Sequence, residues 1–101
     1  MSDADVTRPK GQRLLVAWMS EEPERRTQVW IAKTLGIKQP SVSAWVNGTS
    51  RPDLGMRVAL RILAGDQNGK PRIPEESWET APERKRRLAA LRSIERSRGA
   101  A

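Results

Sequence analysis

The chain has 101 residues, 37% of them hydrophobic, and a formal charge of +7. This length suits one small domain with a small core. Cysteine and histidine are both absent, which removes disulfides, thiolate metal sites and the commonest general base. We therefore expect no enzyme activity, no catalytic residue, no metal and no cofactor. The longest apolar run, 14–19, is too short for a bilayer, and no signal peptide precedes it, so we expect a cytoplasmic protein without membrane association.

The positive charge is concentrated in two blocks. Residues 25–51 carry five basic side chains and no acidic one, and residues 81–101 carry seven basic and two acidic side chains. The segments 1–24 and 52–80 are slightly acidic. Clustered basic charge is typical of a nucleic-acid binder, but it also occurs as plain solvated surface. A motif is needed to decide between the two.

The N-terminal part predicts a mobile end followed by a helix. Residues 1–8 are polar and unpatterned, as in a mobile terminus. A first helix is predicted from Pro9 to the stretch 21–23, where a proline disfavours helical geometry in the residue before it. Its apolar face recurs at helical spacing and consists of Leu14, Leu15, Trp18 and Met19.

Two short helices follow. Thr27 is a good N-cap for the second helix, and Gly36 can adopt the left-handed conformation that ends it. The third helix is predicted to begin at Lys38 or Gln39 and to end at 47–48. The apolar positions of the second helix are Val29, Ile31, Ala32 and Leu35, and Trp30 is expected to lie in the core. The inner face of the third helix is predicted to consist of Val42, Trp45 and Val46.

A fourth helix is predicted between Asp53, which can cap it, and Gly65, which can end it. Residues 65–72 are polar and predict a turn, and Trp78 is expected to pack against the fourth helix. No segment shows the alternation of a strand, so the sequence predicts an all-α fold of about five short helices. The apolar residues of the fourth helix are Leu54, Val58, Leu60, Ile62 and Leu63.

The last helix is predicted over about 81–97. Thr80 and Glu83 match the capping-box pattern at its start. It is strongly basic, with a narrow apolar stripe of Leu88, Leu91 and Ile94. We leave four roles open for it: contacts with phosphates, docking on its own domain, docking on a second subunit, or a frayed solvated helix.

Residues 28–48 carry the most informative pattern. Ala32 is small where a second helix crosses closely, and Gly36 permits a sharp turn. Ile37 reaches from the turn into the core, and Val42 packs the next helix against the first. This spacing predicts a helix-turn-helix, whose second helix enters the major groove of DNA.

This block resembles the phage-repressor and Cro-type helix-turn-helix domain, the XRE family, over about residues 10–64. The resemblance implies a lambda-repressor-like bundle over 9–80, with 81–101 as a basic C-terminal helix or tail. It also implies a homodimer on an inverted-repeat operator in double-stranded DNA. The residues that carry the resemblance are Gln28, Ala32, Leu35, Gly36, Ile37, Gln39, Val42, Ser43, Val46, Asn47, Gly48, Arg51 and Pro52.

The resemblance also implies a recognition helix over about 38–47. Its amide side chain at Gln39 suits a bidentate pair with adenine N6 and N7, and Gln28 is implied to contact a phosphate and to support Gln39. The base-contacting residues are expected to be Lys38, Gln39, Pro40, Ser43 and Ala44. The phosphate-contacting residues are expected to be Gln28, Ser41, Asn47, Thr49 and Arg51.

Two positions depart from the family pattern. Lys38 cannot cap the helix amides as a hydroxyl does, and Pro40 removes a donor from the reading face. The expected function is a transcriptional regulator such as a small phage or bacterial repressor. Two alternatives stay open, namely the antitoxin of a toxin–antitoxin pair and an adaptor that binds protein or RNA through the basic tail.

Overall fold

The computed structural model describes residues 9–21 and 26–99. These residues confirm the all-α fold and form five α-helices. A short 3₁₀ helix, Glu75–Trp78, lies before the last of them. The predicted mobile terminus at 1–8 lies outside the described residues. The helices are α1 Lys10–Met19, α2 Gln28–Leu35, α3 Gln39–Asn47, α4 Leu54–Ala64 and α5 Ala81–Gly99.

The predicted helix caps are confirmed. Thr27 Oγ1 accepts a hydrogen bond from the backbone N–H of Trp30 at 3.0 Å. Asp53 Oδ1 accepts one from the N–H of Met56 at 2.8 Å. Each cap satisfies an amide of the first turn that has no partner inside its helix. Local sequence therefore determines where α2 and α4 begin.

Helix α1 ends earlier than the sequence predicts. It stops at Met19, because the N–H of Ser20 bonds to the carbonyls of Val16 and Ala17 and tightens the last turn. The Ser20 hydroxyl also donates to Val16 O at 2.9 Å, and such side-chain bonds compete with helix propagation.

The segment 65–72 is a hairpin and not only a turn. Two-residue strands, β1 Asp66–Gln67 and β2 Lys70–Pro71, pair antiparallel. Asn68 and Gly69 between them have φ of 55° and 79°, as a tight two-residue hairpin turn requires. The Asn-Gly signal is present in the sequence, but strands this short show no alternation.

The core is drawn from α1 to α4 and the segment that follows them. Its buried members are Leu15, Trp18, Ile31, Ala32, Val42, Trp45, Leu60, Ile73 and Trp78. The 3₁₀ helix that carries Trp78 contacts both α1 and α4. The sequence predicts the packing of this segment against the fourth helix, but not its packing against α1.

Four apolar residues of α2 and α4 are exposed, and the prediction that Trp30 lies in the core is wrong. Val29 is 58% exposed, Trp30 43%, Leu54 75% and Ile62 68%. On α2, the side of the helix that faces the core is occupied by Ile31 and Ala32. Val29 and Trp30 lie one to three positions earlier, so helical geometry turns their side chains away from that side. Trp30 still contacts the ring of Trp18, with centroids 6.3 Å apart.

Helix α5 extends beyond the rest of the fold. None of its described residues is buried, and Leu91 and Ile94 are 45% and 50% exposed. Leu91 and Ile94 therefore do not dock on their own domain, whereas Leu88 at the start of the stripe is half-buried. No helix within 9–21 and 26–99 is long and apolar enough to cross a membrane.

Candidate nucleic-acid interface

Helices α2 and α3 pack directly against each other and form the predicted helix-turn-helix. Ile31 and Ala32 of α2 and Val42 of α3 are buried at this contact. The turn uses Gly36 at φ 71°, and the N–H of Ile37 bonds back to Ala32 O at 2.9 Å. This packing decides which face of α3 is left for solvent.

The outward face of α3 carries the residues that the resemblance assigns to bases. Val42 and Trp45 point into the core, so the residues on the other side of the helix are accessible. Ser43 and Ala44 are half-buried at the edges of that face. The exposed positions are Lys38, Gln39, Pro40, Ser41 and Asn47.

The first residues of α2 and α3 are neighbours in space. Gln39 Nε2 donates to Gln28 Oε1 at 3.5 Å, which is the long limit of a hydrogen bond. The Gln39 amide keeps its carbonyl oxygen for another donor. The two glutamines that the resemblance pairs are thus brought together at an exposed edge.

The N-terminus of α3 is electrostatically positive. Lys38 occupies the N-cap position and makes no side-chain capping bond, as its departure from the family pattern predicts. The first-turn amides therefore lack a side-chain acceptor. The positive end of the helix dipole and the positive charge of Lys38 both lie at this end of α3. This end of α3 favours an anion such as a phosphate.

The C-terminal end of α3 holds two more of the predicted phosphate contacts. Gly48 ends the helix at φ 77°. The N–H and hydroxyl of Thr49 both bond to Ala44 O, at 3.0 and 3.3 Å. Asn47 Nδ2 donates to Ser43 Oγ at 3.4 Å. The side chains of Asn47 and Thr49 are thereby held at an exposed end of α3.

Arg51 has an intramolecular role that the sequence does not indicate. Its guanidinium donates to Trp78 O at 3.0 Å and to the Glu83 carboxylate. The backbone N–H of Thr80 and the Arg51 side chain lower the pKa of Glu83 to about 2. Arg51 thus anchors the start of α5, and its contact with a phosphate stays a prediction.

Gln12 is a site residue that sequence reasoning misses. Its Nε2 donates to Val46 O at 2.8 Å and so ties α1 to the last turn of α3. A signal for it exists, because helical spacing places this polar residue beside the buried positions Gly11 and Leu15.

Among the described residues, no three side chains of the metal-binding types gather into a cation site. Comparison with models of protein families, with curated proteins and with solved structures gives no match for this chain. The geometry and charge of the α2–α3 surface are therefore the observations that bear on function.

Proposed function

We propose that this protein is a sequence-specific double-stranded DNA-binding regulator of transcription, and that α3 lies in the major groove. One observation carries the proposal most directly. Gln39 and Gln28 stand next to each other, 3.5 Å apart, at an exposed edge where α2 and α3 both begin. This edge belongs to the block 25–51, which contains no acidic residue.

The exposed residues at α3 contact either bases or phosphates. Gln39 is the base reader, because its amide can both donate to and accept from the major-groove edge of adenine. Lys38 and the amides of the first turn supply positive potential for a phosphate. Asn47 and Thr49 contact the backbone at the other end of the helix, so that the two ends position the reading residue between them.

A single copy offers too little surface for tight specific binding. One small module buries only about 600–1,000 Å² against DNA. We therefore propose a homodimer on an inverted repeat, with half-sites about one helical turn apart. A protein of this kind acts in the cytoplasm as a small phage or bacterial repressor by occupying an operator.

Selection from random-sequence DNA with the purified full chain tests the proposal. The expected result is enrichment of an inverted repeat whose half-sites are about 10–10.5 base pairs apart, centre to centre. The logarithm of affinity should also fall linearly with the logarithm of salt concentration, because phosphate contacts release counterions. Enrichment of no sequence, or of a single-stranded or RNA ligand in a parallel selection, contradicts the proposal.

A further inference from the structure

Helix α4 is apolar on two opposite faces. Leu60 on the inner face is fully buried. Leu54, Val58 and Ile62 recur every fourth residue on the opposite side, and Leu54 and Ile62 are 75% and 68% exposed. An amphipathic surface helix needs only one apolar face, so the outer strip of α4 is typical of a helix that is covered by something else.

Helix α5 carries a second strip of the same kind. Leu91 and Ile94 lie on one side of it and are about half exposed, at 45% and 50%. Arg98 continues this side one turn further on, because it follows Ile94 by four residues. A single helix without packed neighbours is marginally stable in water, so α5 beyond its first turns is expected to have a partner.

A groove lies beside the outer strip of α4. It lies between α4, the 3₁₀ helix and the start of α5, with a volume of about 520 Å³. Leu54 and Val58 form one wall, and Glu83 and Arg87 of α5 lie at the other. Beyond Arg87 the helix leaves the groove, so its own Leu91 and Ile94 do not fill it.

The groove is lined by more acidic than basic side chains, whereas the free part of α5 is basic. Four glutamates and two arginines, Arg57 and Arg87, line the groove, and three of the glutamates are paired with arginines of the same chain. The fourth, Glu76, makes no direct ion pair with a described residue, and its charge helps to raise the pKa of Arg87. The free part of α5, residues 88–99, carries three arginines against the single acid Glu95. The three paired glutamates are Glu75, Glu79 and Glu83.

We propose that a second copy of this chain covers both strips. The free part of α5 from one copy lies along the outer strip of α4 in the other copy, and the exchange is reciprocal. Leu91 and Ile94 of the helix meet Leu54, Val58 and Ile62, and Arg98, one turn further along the same side, meets the glutamate rim. A two-fold interface requires a surface that is complementary to itself. Each copy of this chain carries both contact surfaces, namely the outer strip of α4 and the free part of α5.

This inference supplies the interface of the homodimer proposed above, and it is tested without DNA. A chain that dimerises but fails to select DNA contradicts the proposed function alone. A chain that selects DNA but uses another interface contradicts the inference alone.

Sedimentation equilibrium of the full chain tests the interface. The wild type is expected to dimerise, and Leu54→Gln and Leu91→Gln are each expected to weaken the dimer roughly tenfold or more. Val29→Gln on α2, also an exposed apolar position at 58%, is the matched control and should leave the dimer unchanged. A wild type that is monomeric at about 100 µM, or equal effects of all three variants, overturns the inference.

A charge exchange tests the reciprocal arrangement. Glu76→Arg and Arg98→Glu should each weaken the homodimer, because each places like charges across both contacts. In an equimolar mixture the two variants should dimerise with each other, since every contact is then between opposite charges. Both positions are exposed, so circular dichroism should show an unchanged fold. Failure of the mixture to recover dimer contradicts the exchange of α5 between copies.

Discussion

The side-chain amide of Gln12 donates a hydrogen bond to the main-chain carbonyl of Val46 at 2.8 Å, across 34 residues of chain. The carbonyl belongs to the last turn of α3, where a helix has no internal donor to offer. This bond therefore holds α3 at its C-terminal end, and α2 packs against it along its length.

The first prediction concerns this bond. Gln12→Ala should lower the free energy of unfolding by about 0.5–1.5 kcal/mol, because it leaves a part-buried carbonyl without its donor. It should also weaken binding to the selected operator, since α3 loses a restraint. Urea denaturation and titration with labelled DNA measure the two effects. Gln67→Ala in the exposed hairpin is the control, and equal changes in both variants contradict a positioning role for Gln12.

The second prediction concerns the contact between Gly11 and Trp78. A β-carbon at Gly11 would lie 2.4 Å from the Trp78 indole, so Gly11→Ala should destabilise the fold by about 1–3 kcal/mol. Gly55 on α4 is the matched control, because a β-carbon there would have its nearest neighbour 3.5 Å away. Gly55→Ala should stabilise by about 0.5–1 kcal/mol. Thermal denaturation of the two variants checks the opposite signs.

The third prediction separates base reading from phosphate contact. Gln39→Ala should cost about 1–3 kcal/mol on the selected operator and almost nothing on random DNA. Fluorescence anisotropy with both DNAs provides the measurement. Equal losses on the two DNAs would show that Gln39 does not read bases.

The fourth prediction concerns how Gln28 acts. If it orients Gln39 across the 3.5 Å contact, Gln28→Ala should cost less operator affinity when Gln39 is already alanine. A double-mutant cycle measures this coupling. Additive losses, present on random DNA as well, would assign Gln28 to a phosphate alone.

The fifth prediction concerns acid stability. The pKa of Glu83 is lowered from 4.5 to about 2 by the N–H of Thr80 and by Arg51. The ionised carboxylate therefore stabilises the fold above pH 4.5, and this contribution is lost as the pH falls toward 2. Glu83→Gln should flatten the dependence of stability on pH in that window. Glu95→Gln, further along the same helix, should leave the slope as in the wild type.

The starts of α2, α4 and α5 were predictable because they depend on neighbours in sequence. The caps at Thr27 and Asp53 and the capping box at Thr80 each form within three residues of the helix that they begin. The helix-turn-helix was predictable for the same reason, since Gly36 and its neighbours specify a turn of fixed length. The Gln28–Gln39 contact followed from a family resemblance and not from spacing.

The partners of long side chains were not predictable. Arg51 is engaged by Trp78 and Glu83, which lie 27 and 32 residues away, and no local pattern reports such a distance. Trp30 is apolar and on a helix, yet 43% exposed, because Ile31 and Ala32 take the available space in the core.

Local sequence thus settled the all-α class, the starts of α2, α4 and α5, and the block of positive charge that contains α3. Only the packed fold decided that Gln12 restrains α3, that Arg51 anchors α5, and that α4 and α5 each keep an uncovered apolar strip. The physical reason is that capping and helical periodicity act over a few residues. Burial and ion pairing, by contrast, depend on which helices meet in space.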